Sequence, residues 1–180
     1  MIEHSVVIKD LKIEDCRPKL LETFNRYQEV RRCWRKENCR WILKDNVFTE
    51  QWDTSRKNEI IRNLAVCLNR GGIVFGAFVD AVLVGFASIN PRLFGSNNEY
   101  VNLEQLHVSF EFRNRKIGRA LFKKACKEAI FLGAKKLYIS AHSSEETQAF
   151  YRGLGCSDAL KIDESLFEAE PYDCHLEIFL

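Results

Sequence analysis

Four cations fall close together at one place in the chain: Arg113, Arg115, Lys116 and Arg119, within FRNRKIGRAL at 112–121. The stretch lies between a strand-like run at 101–108 and an amphipathic helical run at 116–132. A glycine-bearing turn from strand to helix directs unpaired backbone N–H groups, and the positive end of the helix dipole, at whatever sits there. Gly118 permits close backbone approach, and the small Ala120 lets the helix lie near a ligand. The alternative reading is a basic helix start on a solvated face. Cations at a helix N-terminus oppose the dipole, however, and cost stability unless an anion is bound. The pattern therefore predicts a phosphate or pyrophosphate site. Neither G-x-x-x-x-G-K-[ST] nor G-x-G-x-x-G occurs, which speaks against nucleoside triphosphates and dinucleotides.

The elements that must position this site are legible in the second half. IVFGAF (73–78) and VLVGFASI (82–89) flank a reversal at Asp80–Ala81, a hairpin whose strands are apolar enough to be covered on both faces. VNLEQLHV (101–108) is the next strand, and the helix over 116–132 stops at Gly133. KKLYISA (135–141) follows as a parallel strand, completing a βαβ unit. Ser143 and Glu146 form a capping-box pattern for a short helix closed by Gly153 and Gly155, and CHLEIFL (174–180) alternates as a last strand.

In the first half, Val6–Ile8 reads as a short strand and 15–27 as helical. RRCWRKENCRW (31–41) has Cys33, Trp34, Glu37 and Trp41 at helical spacings, and 58–69 is a helix stopped by Gly71–Gly72. The expected class is α/β (α+β): a mixed, mostly antiparallel twisted sheet with a central βαβ unit and helices on both faces.

Composition sets the outer bounds. With 180 residues the chain suits one domain, and 27 basic against 25 acidic residues, a net charge of +2, argue against a nucleic-acid partner. No apolar run approaches a membrane span, and the first residues lack the apolar run of a signal peptide. Seven cysteines, an odd number without a C-x-x-C pair, point to free core thiols in a reducing cytoplasm and to no metal site.

Two motifs together resemble the GNAT superfamily of N-acetyltransferases. Arg113–Gly118 is similar to the family's [QR]-x-x-G-x-[GA] cofactor motif, with Lys116 in place of its first glycine; in a shifted register Arg115, Gly118 and Ala120 also satisfy it, though the first keeps the strand-to-helix spacing better. QAFYRGLGC (148–156) is similar to its late helix, with Phe150–Tyr151 and Gly155 matching, Cys156 replacing an aromatic, and Ser144 replacing an asparagine that touches the pantetheine arm. The resemblance implies a GNAT-like fold and transfer of an acetyl group from acetyl-CoA to a primary amine of a small molecule. Protein lysine or N-terminal acetylation and a non-catalytic acyl-CoA sensor are the alternatives, and a homodimer is compatible with the family.

The resemblance further implies that Arg113, Asn114, Arg115, Lys116, Ile117, Gly118, Arg119 and Ala120 hold the pyrophosphate. Leu106, His107 and Val108 would line the pantetheine, with Ser144 and Tyr151 also in contact. Tyr151 takes the role of hydrogen donor to the departing thiolate, since a phenol suits donation. Glu104, inside an otherwise apolar strand where desolvation would raise its pKa, is the candidate base. His107 and His142 are rival bases; in a regular strand His107 points opposite to Glu104, unless a bulge intervenes. His4 and His175 carry no signal. Residues 73–180 would bind the cofactor and 1–72 the acceptor, through helices bearing Trp34, Trp41 and Trp52, with Glu37 and Glu50 as amine partners.

Overall fold

The two apolar runs around Asp80–Ala81 form the sheet's centre, β4 (Ile73–Val79) and β5 (Val82–Ile89), joined by a two-residue turn with φ of 48° and 63°. Both strands are largely buried, as continuous apolar runs require. This computed structural model describes residues 5–180, so His4 lies outside the described residues. β1 (Val7–Asp10) pairs with β4, and β5 with β6 (Tyr100–Val108). β7 (Lys136–Ala141), β9 (Cys174–Phe179) and the two-residue β8 (Ser157–Asp158) complete a seven-stranded sheet in the order β1-β4-β5-β6-β7-β9-β8. Among the described residues only β6 and β7 run parallel, with α2 (Ile117–Phe131) between them in sequence. The expected mixed sheet with a central βαβ unit is what the chain forms.

Helices cover both faces. α1 (Thr54–Asn69) starts at Asp53, whose carboxylate accepts from Arg56 N–H, and buries Ile60, Ile61 and Leu64 against Phe24, Val74 and Phe86. α2 buries Ile117, Leu121 and Ala125 on the opposite face with Phe75, Val84 and Leu103. α3 (Glu145–Arg152) joins that second layer through Tyr151. Its cap is Ser144, accepting from Thr147 N–H, rather than the expected Ser143–Glu146 pair; Ser143 Oγ instead accepts from Arg35 at 2.7 Å. A short α4 (Glu164–Ala169), capped by Asp163, has no counterpart among the sequence expectations.

The first half departs most from expectation. The helix expected over 15–27 is reduced to two 3-10 turns, Ile13–Asp15 and Pro18–Leu21. The helix expected over 31–41 is a long antiparallel hairpin, β2 (Gln28–Glu37) and β3 (Arg40–Glu50). Its turn is Asn38–Cys39, both left-handed (φ 47° and 61°), the geometry of a two-residue hairpin loop. The hairpin's inner face docks on the segment after β7: Trp34 N–H donates to Ser143 O at 2.8 Å, and Cys33 bridges Ser144. All seven cysteines are free thiols, but Cys39 is exposed at the turn rather than in the core. Cys67, Cys156 and Cys174 are pushed up to about 12 by burial, which keeps them protonated and inert.

Candidate active site

β6 and β7 pair only from Tyr100–Asn102 against Lys136–Tyr138 and then diverge. Two cavities open along β6 at this divergence. One, of about 480 Å³, lies between β6, the start of α2 and α3; the other, of about 540 Å³, lies between α1, β6, the end of β3 and α4. Both volumes suit small-molecule ligands. Arg26 and His107 border both cavities, so the two meet there. The loop between Leu21 and β2 delivers Arg26 by a double clamp. Phe110 N–H donates to Asn25 O (2.8 Å), and Asn25 N–H donates to Ser109 Oγ (3.0 Å).

The first cavity is lined by Leu106, His107, Val108, Arg113, Asn114, Lys116, Ile117, Gly118, Arg119 and Tyr151 from the sequence candidates. Among the described residues, α2 alone of the four α-helices has no side-chain cap at its N-terminus, and its first turn carries no acidic residue. Its leading N–H groups are thus left for an anion, and Lys116, Arg119 and Arg113 stand around them. Lys116 adopts φ 64°, so the backbone takes the left-handed shape that a glycine would favour despite the side chain. A Cβ on Gly118 would come within 3.1 Å of the Phe150 ring, so the helix start packs on α3 at van der Waals distance.

Three of the expected residues are not part of this lining. Arg115 stacks over Phe112 (5.1 Å), itself a lining residue, and Ala120 follows one position beyond Arg119. Ser144 is fully buried, and its hydroxyl is consumed within the protein by Gln28 and Thr147.

Tyr151 is buried beside Phe122 and Phe150 while bordering the first cavity. Burial, with minor contributions from Cys156 and Asp173, holds its phenol well above the ordinary value, so it stays protonated and able to donate.

Glu104 does not sit as expected. Ser88 pairs with Gln105 and Ile89 with Leu103, so Glu104 is the extra residue of a β-bulge. It is exposed, accepts from Asn90 Nδ2 at 2.7 Å, and borders the second cavity. The burial expected of a residue inside an apolar strand is therefore absent. The bulge also places Glu104 and His107 on the same cavity, against the regular-strand expectation.

Neither histidine is free to act as base. Arg26 Nε donates to His107 Nδ1 at 3.3 Å, which puts the ring's proton on Nε2. Burial first, then Arg26, Arg113 and Arg56, lower the His107 pKa well below its ordinary value. His142 Nδ1 accepts from Ser144 N–H (3.1 Å), and its Nε2 lies 3.7 Å from Glu50. Glu50 in turn pairs with Arg26 at 3.3 Å.

A pH dependence of stability follows. His107 is neutral when folded, whereas in the unfolded chain it gains a proton near pH 6.5. Its contribution is complete above that pH and is lost as pH falls from there towards the folded pKa, with a slope of up to about 1.4 kcal/mol per pH unit. Urea unfolding at pH 7.5, 6.5 and 5.5 should show the decline, and His107→Gln should reduce its slope. His175, whose pKa burial also lowers, adds in the same direction.

A model of the acetyltransferase (GNAT) family matches residues 27–156. The chain belongs to that family. This acetyltransferase is also similar along nearly its whole length to solved structures. A nourseothricin acetyltransferase is 17% identical, with 96% of this chain and 95% of that one covered at a TM-score of 0.66. A protein assigned as a streptothricin acetyltransferase from Bacillus anthracis, in complex with acetyl coenzyme A, is 13% identical, covering 98% and 99% at a TM-score of 0.71. The PaiA N-acetyltransferase of Thermoplasma acidophilum, in complex with coenzyme A, is 17% identical, covering 98% and 99% at a TM-score of 0.59. No curated protein sequence matches. Family membership makes this an acetyl-CoA-dependent acyltransferase, as the two motifs imply. No helix among the described residues is long and apolar enough to cross a membrane.

Sequence reasoning missed part of this GNAT site. Arg26 falls at the end of the segment expected to be helical but lies in a loop, and Gln28 falls between the expected elements. Of the aromatic and acidic residues expected to serve the acceptor, Trp52 and Glu50 border the second cavity. Trp41 bonds Asp158 and Glu37 pairs with Lys44, both away from it. Trp34, on β2, is not part of its lining either.

Proposed function

We propose that this acetyltransferase acetylates a primary amine of a small molecule held in the second cavity. The observation that carries this is the meeting of two bounded cavities at Arg26 and His107, one with an uncapped, cation-ringed helix start and one with carboxylates. Glu50, Glu104, Glu170 and Asp173 border the second cavity, and Glu50 already engages one of its three arginines. That balance suits an ammonium group. The walls contributed by α1, β3 and α4 enclose a volume of about 540 Å³, which fits a small amine better than a protein segment. Relatives named for nourseothricin and streptothricin acetylation support the same class.

In this reading Arg113, Lys116 and Arg119 hold the pyrophosphate over the first N–H groups of α2. Acetyl-CoA supplies the thioester. Glu104, one of the four carboxylates bordering that cavity, takes the proton of the acceptor ammonium. The Tyr151 phenol donates to the departing sulfur.

Calorimetry with acetyl-CoA, followed by an amine panel read through free-thiol release, tests the proposal. Binding of acetyl-CoA without turnover on any amine would favour an acyl-CoA sensor, and turnover on lysine peptides alone would favour a protein acceptor. Arg113→Ala should weaken acetyl-CoA binding roughly tenfold, since a charge-assisted contact is lost. Unaltered affinity would count against this register of the motif.

A further inference from the structure

Gln28, the first residue of β2, is a buried polar side chain (9% exposed) on the wall of the donor cavity. Its Nε2 donates to Ser144 Oγ at 3.2 Å. The surrounding bonds fix this amide orientation. Ser144 Oγ donates its own proton to Thr147 Oγ1 (2.9 Å) and also accepts from Thr147 N–H (3.4 Å), so it can only accept from Gln28. The carboxamide oxygen, Oε1, makes no hydrogen bond to a described residue and, unlike Oε1 of Gln148, is not cut off from solvent, so it is open to a ligand. The cavity Gln28 borders is the donor cavity, shared with Leu106, Thr147 and Tyr151. Across the hairpin its paired residue, Glu50, borders the acceptor cavity instead.

We propose that Gln28, held in place by Ser144, accepts a hydrogen bond from an amide N–H of the donor's pantetheine arm. This rests on the first cavity taking acetyl-CoA. The pantetheine arm is the part of coenzyme A that carries secondary amides, whereas the adenosine bisphosphate end is read by cations and helix N–H groups. One carboxamide oxygen therefore distinguishes the arm from the nucleotide. The consequence reaches into the first half of the chain: the hairpin contributes to donor binding and does not serve the acceptor alone.

The test is calorimetry with acetyl-CoA and, separately, with adenosine 3′,5′-bisphosphate, which lacks the arm. Gln28→Ala and the length-matched Gln28→Met should each bind acetyl-CoA about tenfold more weakly, a change of about 1.4 kcal/mol. Both should keep bisphosphate affinity within about twofold of the native protein, as expected when only the amide contact is removed. Native binding of acetyl-CoA with unchanged affinity in the variants leaves the cavity's assignment standing and overturns the role of Gln28. Parallel loss of both ligands in both variants also overturns it, by showing general distortion of the cleft. A native protein that binds no acetyl-CoA removes the assignment of the cavity and this role together.

Discussion

Replacing Tyr151 by Phe is expected to lower kcat by about a hundred- to ten-thousand-fold, the usual worth of a positioned proton donor, with acetyl-CoA affinity within about twofold of native. The variant isolates the hydroxyl. Ring contacts with Phe122 (5.9 Å) and Phe150 (5.0 Å) do not involve it, and no described residue hydrogen-bonds it, so the fold loses nothing when it goes. Thermal stability should therefore be unchanged. Burial holds the phenol well above its ordinary pKa, so the native enzyme should show no fall in activity from this group as pH rises towards 10. Steady-state thiol release across pH, with parallel thermal unfolding, checks each part. A kcat within threefold of native would remove the phenol from the mechanism. A loss of acetyl-CoA affinity equal to the loss of kcat would make it a binding group.

What could be read from the residues beforehand divides along physical lines. β4 and β5 bury both faces, one in each core layer, and α2 buries one, so the continuous apolar runs and the 3.6-residue period are written plainly. The β2–β3 hairpin buries little: β3 has no fully buried residue, and β2 buries only Gln28, Val30 and Cys33. Without a covered face there is no strand alternation to find, and Asn38–Cys39 lacks the glycine that usually marks such a turn. Glu104 shows a different limit. Its position in an apolar strand is visible, but the bulge that exposes it arises from pairing with Ser88 and Ile89, which no local pattern reports.

Ser144 shows a third limit. A motif position was matched correctly to the start of α3, yet its hydroxyl is spent on Gln28 and Thr147, and the cavity wall is supplied from another strand. Residues from both sides of position 73 border both cavities: Arg26 and Gln28 reach the first, while Asn102, Glu104 and Asp173 reach the second.

Phe86→Ala should cost about 3–5 kcal/mol, the range for deleting a buried aromatic ring. Phe86 is fully buried, directly opposite His107 in the β5–β6 ladder, and its ring touches Phe24 (5.4 Å) and His107 (5.3 Å). With Trp52 6.4 Å away, the same ring supports two residues that line the second cavity, Trp52 and His107. The void left behind lies in the layer between the sheet and α1, among Phe24, Ile60 and Leu64. For a chain of this length each kcal/mol shifts Tm by about 2–4 °C, so a fall of roughly 10 °C is expected. Phe131→Ala, at an 82% exposed position, is the control and should change stability by less than about 0.5 kcal/mol. The functional effect should be uneven. Trp52 borders the second cavity alone and His107 borders both, so the KM for the acceptor should rise more than acetyl-CoA affinity falls, α2 lying on the opposite face of the sheet. A Tm shift of less than about 2 °C would mean that the site collapses around the missing ring. Equal weakening of acetyl-CoA and acceptor binding would show instead that the ring acts through the shared wall at His107.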